Sequence, residues 1–265
     1  MRKLLTSGAV AVGMLLASCT PANRVVENPL IGAANTMTLD FPKIELSDTA
    51  TVLHVDAYFR PHNCIRIDAG TYLLADGQKY MLQGSEGILP DSLFWMPDSG
   101  EASFVLKFGP LPRGTKSFDF IESDCDDCFK LYGVDLTGKK EYPRYPEGLP
   151  RALRKAPEDG PVPEPILAVG TTTVNVRLLG YRRGMVKEVA MYVNSLLNGQ
   201  EEHTAAIDPE SGTATLRFEQ YGTAMAYVSC GPVFGMCWIA PGETLDMYIA
   251  MAVSYTHLRA HETCA

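Results

Sequence analysis

The sequence predicts an all-β protein made of two consecutive antiparallel β-sandwich domains, and three features of the chain support this prediction. Many short segments alternate between apolar and polar side chains, which is typical of strands with one buried and one solvated face. Pairs such as Asp76-Gly77 and Asn198-Gly199 separate these segments and favour tight hairpins, because both residue types tolerate positive φ. No segment shows a strong helical period, so layers of helices are not expected.

The first sandwich is predicted over residues 37–136. From Leu53 to Arg60 the odd-numbered residues are apolar, and residues 102–108 repeat this alternation. Asp76-Gly77 lies between two further segments of strand character, 71–74 and 79–82. Several short strands separated by turn residues are typical of an immunoglobulin-like sandwich.

Residues 137–165 interrupt the strand pattern and are predicted to be an inter-domain linker. Seven prolines lie in this stretch, and proline stiffens the chain while removing backbone donors. One short helix is predicted at Leu149–Ala156, with Pro150 in its first turn. The second sandwich, of about seven strands, is predicted over residues 166–252, including alternating segments at 174–178, 189–193 and 214–218.

Length and charge restrict the classes of function. The chain has 265 residues and a net charge of −8, with a pI near 5.2. An acidic protein of this kind is a poor partner for nucleic acid, which requires a basic surface. A few buried layers per domain offset the chain entropy, since one buried Leu or Phe contributes roughly 1.5–3 kcal/mol. Neither domain therefore needs a metal or a disulfide to fold, and no cofactor is predicted.

The first 19 residues have the layout of a secretory signal. Arg2 and Lys3 precede an apolar run from Leu4 to Leu16, which is too short and too rich in Gly and Ala for a stable membrane span. Export makes disulfides among the seven cysteines permissible. This segment is either the signal of a lipoprotein, in which Cys19 has a function, or an ordinary cleaved signal in which Cys19 occurs by chance.

The segment Leu16-Ala17-Ser18-Cys19 resembles the lipobox of bacterial lipoproteins. The resemblance implies cleavage before Cys19 and lipidation of its sulfur, which would anchor the chain to a membrane. Residues 20–36 lack a clear period and are predicted to be a tether. No acidic cluster follows Cys19, which favours a periplasm-facing position in the cell envelope.

Two cysteine pairs are candidate disulfides. Cys125 and Cys128 form a Cys-x-x-Cys motif, but acidic neighbours disfavour a thiolate and no helix follows. A structural disulfide or two free thiols are expected there, with accessory thiol exchange and metal binding as alternatives. Cys230 and Cys237 are either joined across a hairpin or left as two buried thiols. No catalytic residue and no metal ligand is assigned. His257 and His261 are attributed to residues 253–265, a tail that is predicted to be artefactual.

The arrangement of the chain resembles the N-terminal half of TlpA-like thiol-disulfide oxidoreductase lipoproteins over residues 37–251. The matching segments are residues 64–74, 118–122, 132–136, 212–218 and 240–245. In that family a C-terminal thioredoxin-like domain with Trp-Cys-x-x-Cys performs the redox chemistry. This sequence contains no Trp-Cys-x-x-Cys after residue 165. The resemblance thus implies non-catalytic domains that hold a redox domain, or its partner, at the membrane, and no reductase activity in this chain.

Residues 253–265 resemble translated adaptor sequence, and the hypothesis is that native coding ends near Ala252. The rival interpretation is a stand-alone binding lipoprotein whose sandwich grips a glycan, a peptide or a periplasmic protein. Exposed aromatic residues such as Tyr58 and Tyr192 are the candidate contacts in that case.

Overall fold

The computed structural model describes residues 24–125, 128–139, 141–155, 164–195 and 197–251. Its regular elements within these ranges are eighteen β-strands and one short 3-10 helix, which confirms the prediction of an all-β, sandwich-like fold. None of the helical structure in these ranges is long and apolar enough to cross a membrane.

The first unit contains eleven strands. They are β1 (Arg24–Glu27), β2 (Ile31–Ala34), β3 (Leu39–Leu46), β4 (Thr51–Tyr58), β5 (Cys64–Ile65), β6 (Tyr72–Ala75), β7 (Gln78–Glu86), β8 (Phe94–Trp95), β9 (Glu101–Phe108), β10 (Ser117–Ile121) and β11 (Lys130–Asp135). Nine of them form one sheet in the order β1-β3-β4-β9-β7-β6-β10-β11-β2, and β5 pairs with β8.

The nine-stranded sheet departs from the immunoglobulin-like arrangement of two separate sheets. Strand β7 belongs to both halves of the sheet, because its first residues pair with β6 and its later residues pair with β9. The register shifts between Leu82 and Gly84, and such a bulge bends a strand and increases its twist. The sheet therefore curls on itself, and its two halves pack face to face as in a sandwich.

The core of the first unit is aromatic at its centre. Phe41 and Phe108, from one half of the sheet, meet Phe120 from the other half at ring-centroid distances of 5.4 and 6.3 Å. All three side chains are fully buried, and both contacts have the edge-to-face geometry that aromatic pairs favour. These contacts hold the two halves of the curled sheet together.

The predicted tether at residues 20–36 is wrong over much of its length. Strand β1 pairs with β3, and β2 pairs with β11, so these segments form the two edges of the nine-stranded sheet. Each is only four residues long, which is too short to show a period in the sequence. Their strand conformation depends on partners that lie far away in the chain.

The second unit contains seven strands in two sheets, as the sequence predicts. They are β12 (Gly170–Leu179), β13 (Glu188–Ser195), β14 (Gly199–Ala206), β15 (Thr213–Gln220), β16 (Ala224–Cys230), β17 (Val233–Ile239) and β18 (Thr244–Ala250). One sheet has the order β15-β12-β18 and the other β14-β13-β16-β17. The fully antiparallel prediction fails at one pair, because β12 and β18 run parallel. These strands are the first and last of the unit, and the chain crosses the other sheet between them.

The linker carries less helix than the sequence predicts. A 3-10 helix spans Arg151–Arg154, with Pro150 at its N-cap, whereas the prediction was Leu149–Ala156. No helical side chain there is buried, so tertiary packing does not extend this short helix. The linker contacts the first unit where the Tyr142 hydroxyl accepts a hydrogen bond from the Ile31 amide at 3.1 Å.

The two units also contact each other directly. Ala33, Tyr72, Ile121 and Tyr132 belong to the first unit by sequence, yet they pack in the same hydrophobic cluster as the core of the second unit. The Lys130 ammonium group donates a hydrogen bond to the Gly184 carbonyl at 3.0 Å. Burial, the largest cause, raises the pKa of Tyr132 to about 12. The second unit thus takes part of its apolar core from the first.

Candidate functional site

The lipidation site predicted at Cys19 lies outside the described residues, as does the predicted adaptor-like tail at 253–265. The described chain begins at Arg24, five positions after Cys19. His257 and His261 also lie outside the described ranges.

The Cys-x-x-Cys motif lies in the turn between β10 and β11, and the structure joins Cys125 and Cys128 in a disulfide with Cα atoms 5.3 Å apart. Cys125 is exposed, whereas Cys128 is buried. The pair therefore lies on a hairpin between two strands. It does not lie at a helix N-terminus, which is one of the settings that lower the pKa of a cysteine thiol.

Asn35 and Glu122 attach the disulfide hairpin to the rest of the first unit. The Asn35 side-chain amide donates to the Cys128 carbonyl, and its oxygen accepts from the Lys130 amide, both at 2.8 Å. The Glu122 carboxylate accepts hydrogen bonds from the backbone amides of Phe129 at 2.8 Å and Asp68 at 3.3 Å. These bonds hold the hairpin from both of its ends.

Glu122 is a buried carboxyl group within this hairpin. Desolvation by burial raises its pKa, and the two backbone hydrogen bonds oppose that rise. The residues that flank the hairpin, Ile121 and Lys130, both contact the second unit. The disulfide therefore restrains a loop that supports the contact between the two units.

The disulfide considered for Cys230 and Cys237 does not form, and both residues are free thiols. In the β16–β17 hairpin Cys230 pairs with Val233, while Cys237 pairs with Ala226. The two cysteines are therefore four residues out of register, roughly 13 Å along the strand, which is too far for a disulfide. Burial raises the pKa of the Cys230 thiol to about 11 and also raises that of Cys237.

No group of three or more metal-ligating side chains occurs among the residues that the structure describes. A cavity of about 170 Å³ opens beside Arg24 in the first unit, with Leu46, Leu111 and Leu136 among its lining residues. Its volume is below the roughly 300–1,000 Å³ that is usual for small-molecule sites. The Arg113 guanidinium at this cavity is already bound to Asp48 at 2.6 and 2.9 Å.

The outer face of the four-stranded sheet carries a row of large apolar side chains along β17. Phe234, Met236 and Trp238 alternate along this strand and are 65%, 67% and 62% exposed; we call these three residues the β17 stripe. Tyr227 on the neighbouring strand stacks against Phe234, with ring centroids 5.8 Å apart. A contiguous exposed apolar patch of this kind is typical of an interaction surface.

The same face becomes polar toward its other edge. Tyr192 on β13 lies between Tyr227 on β16 and Glu202 on β14 in one row across the sheet. A hydrogen bond with the Glu202 carboxylate is the main reason that the pKa of Tyr192 is raised. Of the two aromatic contacts predicted from sequence, Tyr192 therefore belongs to this face, whereas Tyr58 ends β4 in the first unit.

The sequence predicts about seven strands over residues 166–252, but it does not reveal the exposed stripe. Phe234, Met236 and Trp238 alternate with Gly235 and Cys237, so both faces of the strand are apolar or small. The available signal was the absence of any charged residue from Val233 to Ile239.

Comparison of the chain with protein-family models, with curated proteins and with solved structures found no match.

Proposed function

We propose that this chain is a membrane-anchored lipoprotein of the bacterial cell envelope, facing the periplasm and held by an acylated Cys19. Its two β-units are the non-catalytic part of a TlpA-like thiol-disulfide oxidoreductase, and they position a redox domain or its protein partner at the membrane. The resemblance in sequence supports the family, and the signal and lipobox residues support the location.

The state of the cysteines is the observation on which the non-catalytic role depends. Cys125 and Cys128 are joined on a hairpin beside acidic residues, where a thiolate is disfavoured. Burial raises the pKa of Cys230 to about 11, so that thiol is almost fully protonated at neutral pH. These settings suit structural cysteines rather than an attacking thiolate.

An insulin-reduction assay on the purified protein tests the non-catalytic role. We expect no turnover above that of the reductant alone, and the same result for the double variant Cys125→Ser, Cys128→Ser. Turnover that depends on Cys125 would overturn the proposal.

Sequencing the intact gene tests the family, because a downstream Trp-Cys-x-x-Cys segment is expected and a native stop codon near 252 is not.

Metabolic labelling with a palmitate analogue tests the anchor. Label is expected on the wild-type protein and on Cys64→Ala, a matched change at a half-buried cysteine, and it should be absent from Cys19→Ala. Equal labelling of all three proteins would assign the acyl group to another residue.

The exposed β17 stripe favours a second candidate function, a stand-alone binding lipoprotein without a redox role. Aromatic side chains on a solvated sheet face are suited to partners that offer flat apolar surfaces. This alternative predicts that the intact gene ends after the second unit, so the same sequencing experiment separates the two candidates.

A further inference from the structure

The two edges of the four-stranded sheet differ in how well they are protected against pairing with another strand. Edge strand β14 includes Glu201 and Glu202, whereas edge strand β17 has no charged residue along its seven positions. Natural proteins commonly protect sheet edges with charges, prolines or bulges, because an unprotected edge is a template for a further strand. Strand β17 pairs with β16 without a register shift, so it has no bulge either.

The backbone of β17 offers hydrogen-bonding groups at the same residues that carry the stripe. Cys230 and Val233 pair across the two-residue turn Gly231-Pro232, and the pair that flanks such a turn is a hydrogen-bonded one. Alternation along the ladder then directs the N–H and C=O groups of Val233 and every second residue after it toward β16. Those of Phe234, Met236 and Trp238 point away from the sheet, where no strand of the described chain pairs with them.

We propose that β17 pairs antiparallel with β17 of a second copy of this chain, about a two-fold axis at Met236. Met236 then lies opposite the partner's Met236, and Phe234 lies opposite the partner's Trp238. The two four-stranded sheets become one continuous sheet of eight strands. This inference concerns self-association and does not depend on the proposed redox or membrane function.

The strand is complementary to itself in this register. Met236 is the central residue of Val233–Ile239, so every outward-pointing residue of one copy meets an outward-pointing residue of the other. Three hydrogen-bonded residue pairs form, each of which exchanges two backbone bonds. Two of these pairs are Phe with Trp, and aromatic cross-strand pairs are favourable. A register slipped by one residue, with the axis between Met236 and a neighbouring residue, would place outward-pointing residues opposite residues whose backbone is already paired with β16.

Pairing of β17 with a second copy of the chain is also compatible with the charges of the molecule. Each copy carries a net charge of −8, which opposes contact between acidic surfaces, but the β17 edge is uncharged. Glu201 and Glu202 lie at the opposite edge, three strands away from the axis. The Tyr227 ring holds Phe234 in a stacked position before the second copy arrives, which limits the entropy lost on pairing.

Sedimentation velocity over a range of protein concentrations tests the proposal on the full-length protein, in detergent with micelles in large excess over protein. We expect a concentration-dependent dimer for the wild type. Met236→Lys should raise the dissociation constant by on the order of tenfold or more, because it places two like charges opposite each other. Leu89→Lys, a matched change at a 70% exposed residue of the first unit, should leave the dimer unchanged.

Oxidative cross-linking tests the register. Met236→Cys places two thiols opposite each other at the axis, about 5.5 Å apart between Cα atoms, which a disulfide can span. Trp238→Cys is the matched control, because that residue lies roughly 13 Å along the strand from its counterpart. A dimer band on a non-reducing gel is expected only for Met236→Cys.

Three outcomes would contradict the proposal. A wild-type protein that stays monomeric at all concentrations would assign the β17 stripe to a different occupant, such as another protein or a glycan. A dimer that persists in Met236→Lys would place the interface elsewhere. Equal cross-linking of Met236→Cys and Trp238→Cys would contradict the two-fold axis at Met236.

Discussion

The two units of the molecule reach a similar layered fold with different cores. The largest fully buried side chains all lie in the first unit, and four of them are phenylalanines. The core of the second unit consists mainly of Val, Ile and Met side chains, and the first unit contributes Tyr72 and Tyr132 to it. Because the core cluster of the second unit includes residues of the first, we expect the second unit to depend more on the contact between the units than the first does.

The largest expected effect comes from removing the aromatic centre of the first unit. Phe120→Ala should lower the free energy of unfolding by about 3–5 kcal/mol, because it leaves a cavity between the two halves of the sheet. Amide hydrogen exchange should show lost protection in both units, since the second unit loses its support. The matched variant Leu216→Ala, at a buried residue of the second unit, should reduce protection there alone. The reverse pattern would contradict the proposed dependence.

Tyr132→Ala tests the shared contact itself. We expect a loss of about 2–4 kcal/mol, because a buried aromatic ring is removed from the cluster that joins the units. In thermal unfolding followed by calorimetry, the two units should separate into distinct transitions. Tyr58→Ala removes a tyrosine that is 46% exposed and should change the unfolding temperature little. A single unchanged transition in Tyr132→Ala would show that the contact does not couple the units.

Removing the disulfide should have a smaller effect. The loop between Cys125 and Cys128 is short, so chain-entropy arguments give about 2 kcal/mol for the double variant Cys125→Ser, Cys128→Ser. Hydrogen exchange should increase at the hairpin and at its flanking residues, Ile121 and Lys130. The matched variant Cys230→Ser, Cys237→Ser removes no covalent bond. Protection at the hairpin in that variant should equal that of the wild type.

The smallest expected effect is a pH dependence at Glu122. Burial raises the pKa of this carboxyl group above its ordinary value of 4.5, so the folded protein binds its proton more tightly than the unfolded chain does. The stability that this group contributes is therefore greatest below pH 4.5 and is lost as the pH rises through the folded-state pKa. Urea unfolding of the wild type and Glu122→Gln at several pH values measures this, since the variant lacks that loss. Parallel curves for the two proteins would contradict it.

Much of the fold could be predicted because strands and tight turns leave local signals. Asp76 and Gly77 both have positive φ in the turn between β6 and β7, as the Asp-Gly pair predicts. In the second unit, strands β12, β13 and β15 follow from alternation, and the Asn198-Gly199 pair marks the turn between β13 and β14. The short strands β1 and β2 could not be predicted, because four residues hold too little pattern and their partners are distant in sequence.

The candidate sites were predictable only in part. The Cys-x-x-Cys motif at Cys125 and Cys128 can be read from the sequence, but the turn that brings their Cα atoms to 5.3 Å cannot, because an extended loop of that length would hold them about 10 Å apart. The register that separates Cys230 from Cys237 depends on where the hairpin turns, and a shift of a few residues would change their distance. The exposure of Trp238 depends on which face of β17 meets the opposite sheet, and apolar residues on both faces conceal that choice.

By itself the sequence determined the all-β class and the positions of turns such as Asp76-Gly77 and Asn198-Gly199, because these depend on neighbours in the chain. Only the tertiary structure decided that β7 joins two half-sheets, that Tyr72 and Tyr132 enter the core of the other unit, and that Phe234, Met236 and Trp238 remain exposed at an edge. These features depend on which distant strand becomes a neighbour. The period-two pattern indicates which residues share a face of a strand, but it does not indicate whether that face packs against another strand or remains exposed.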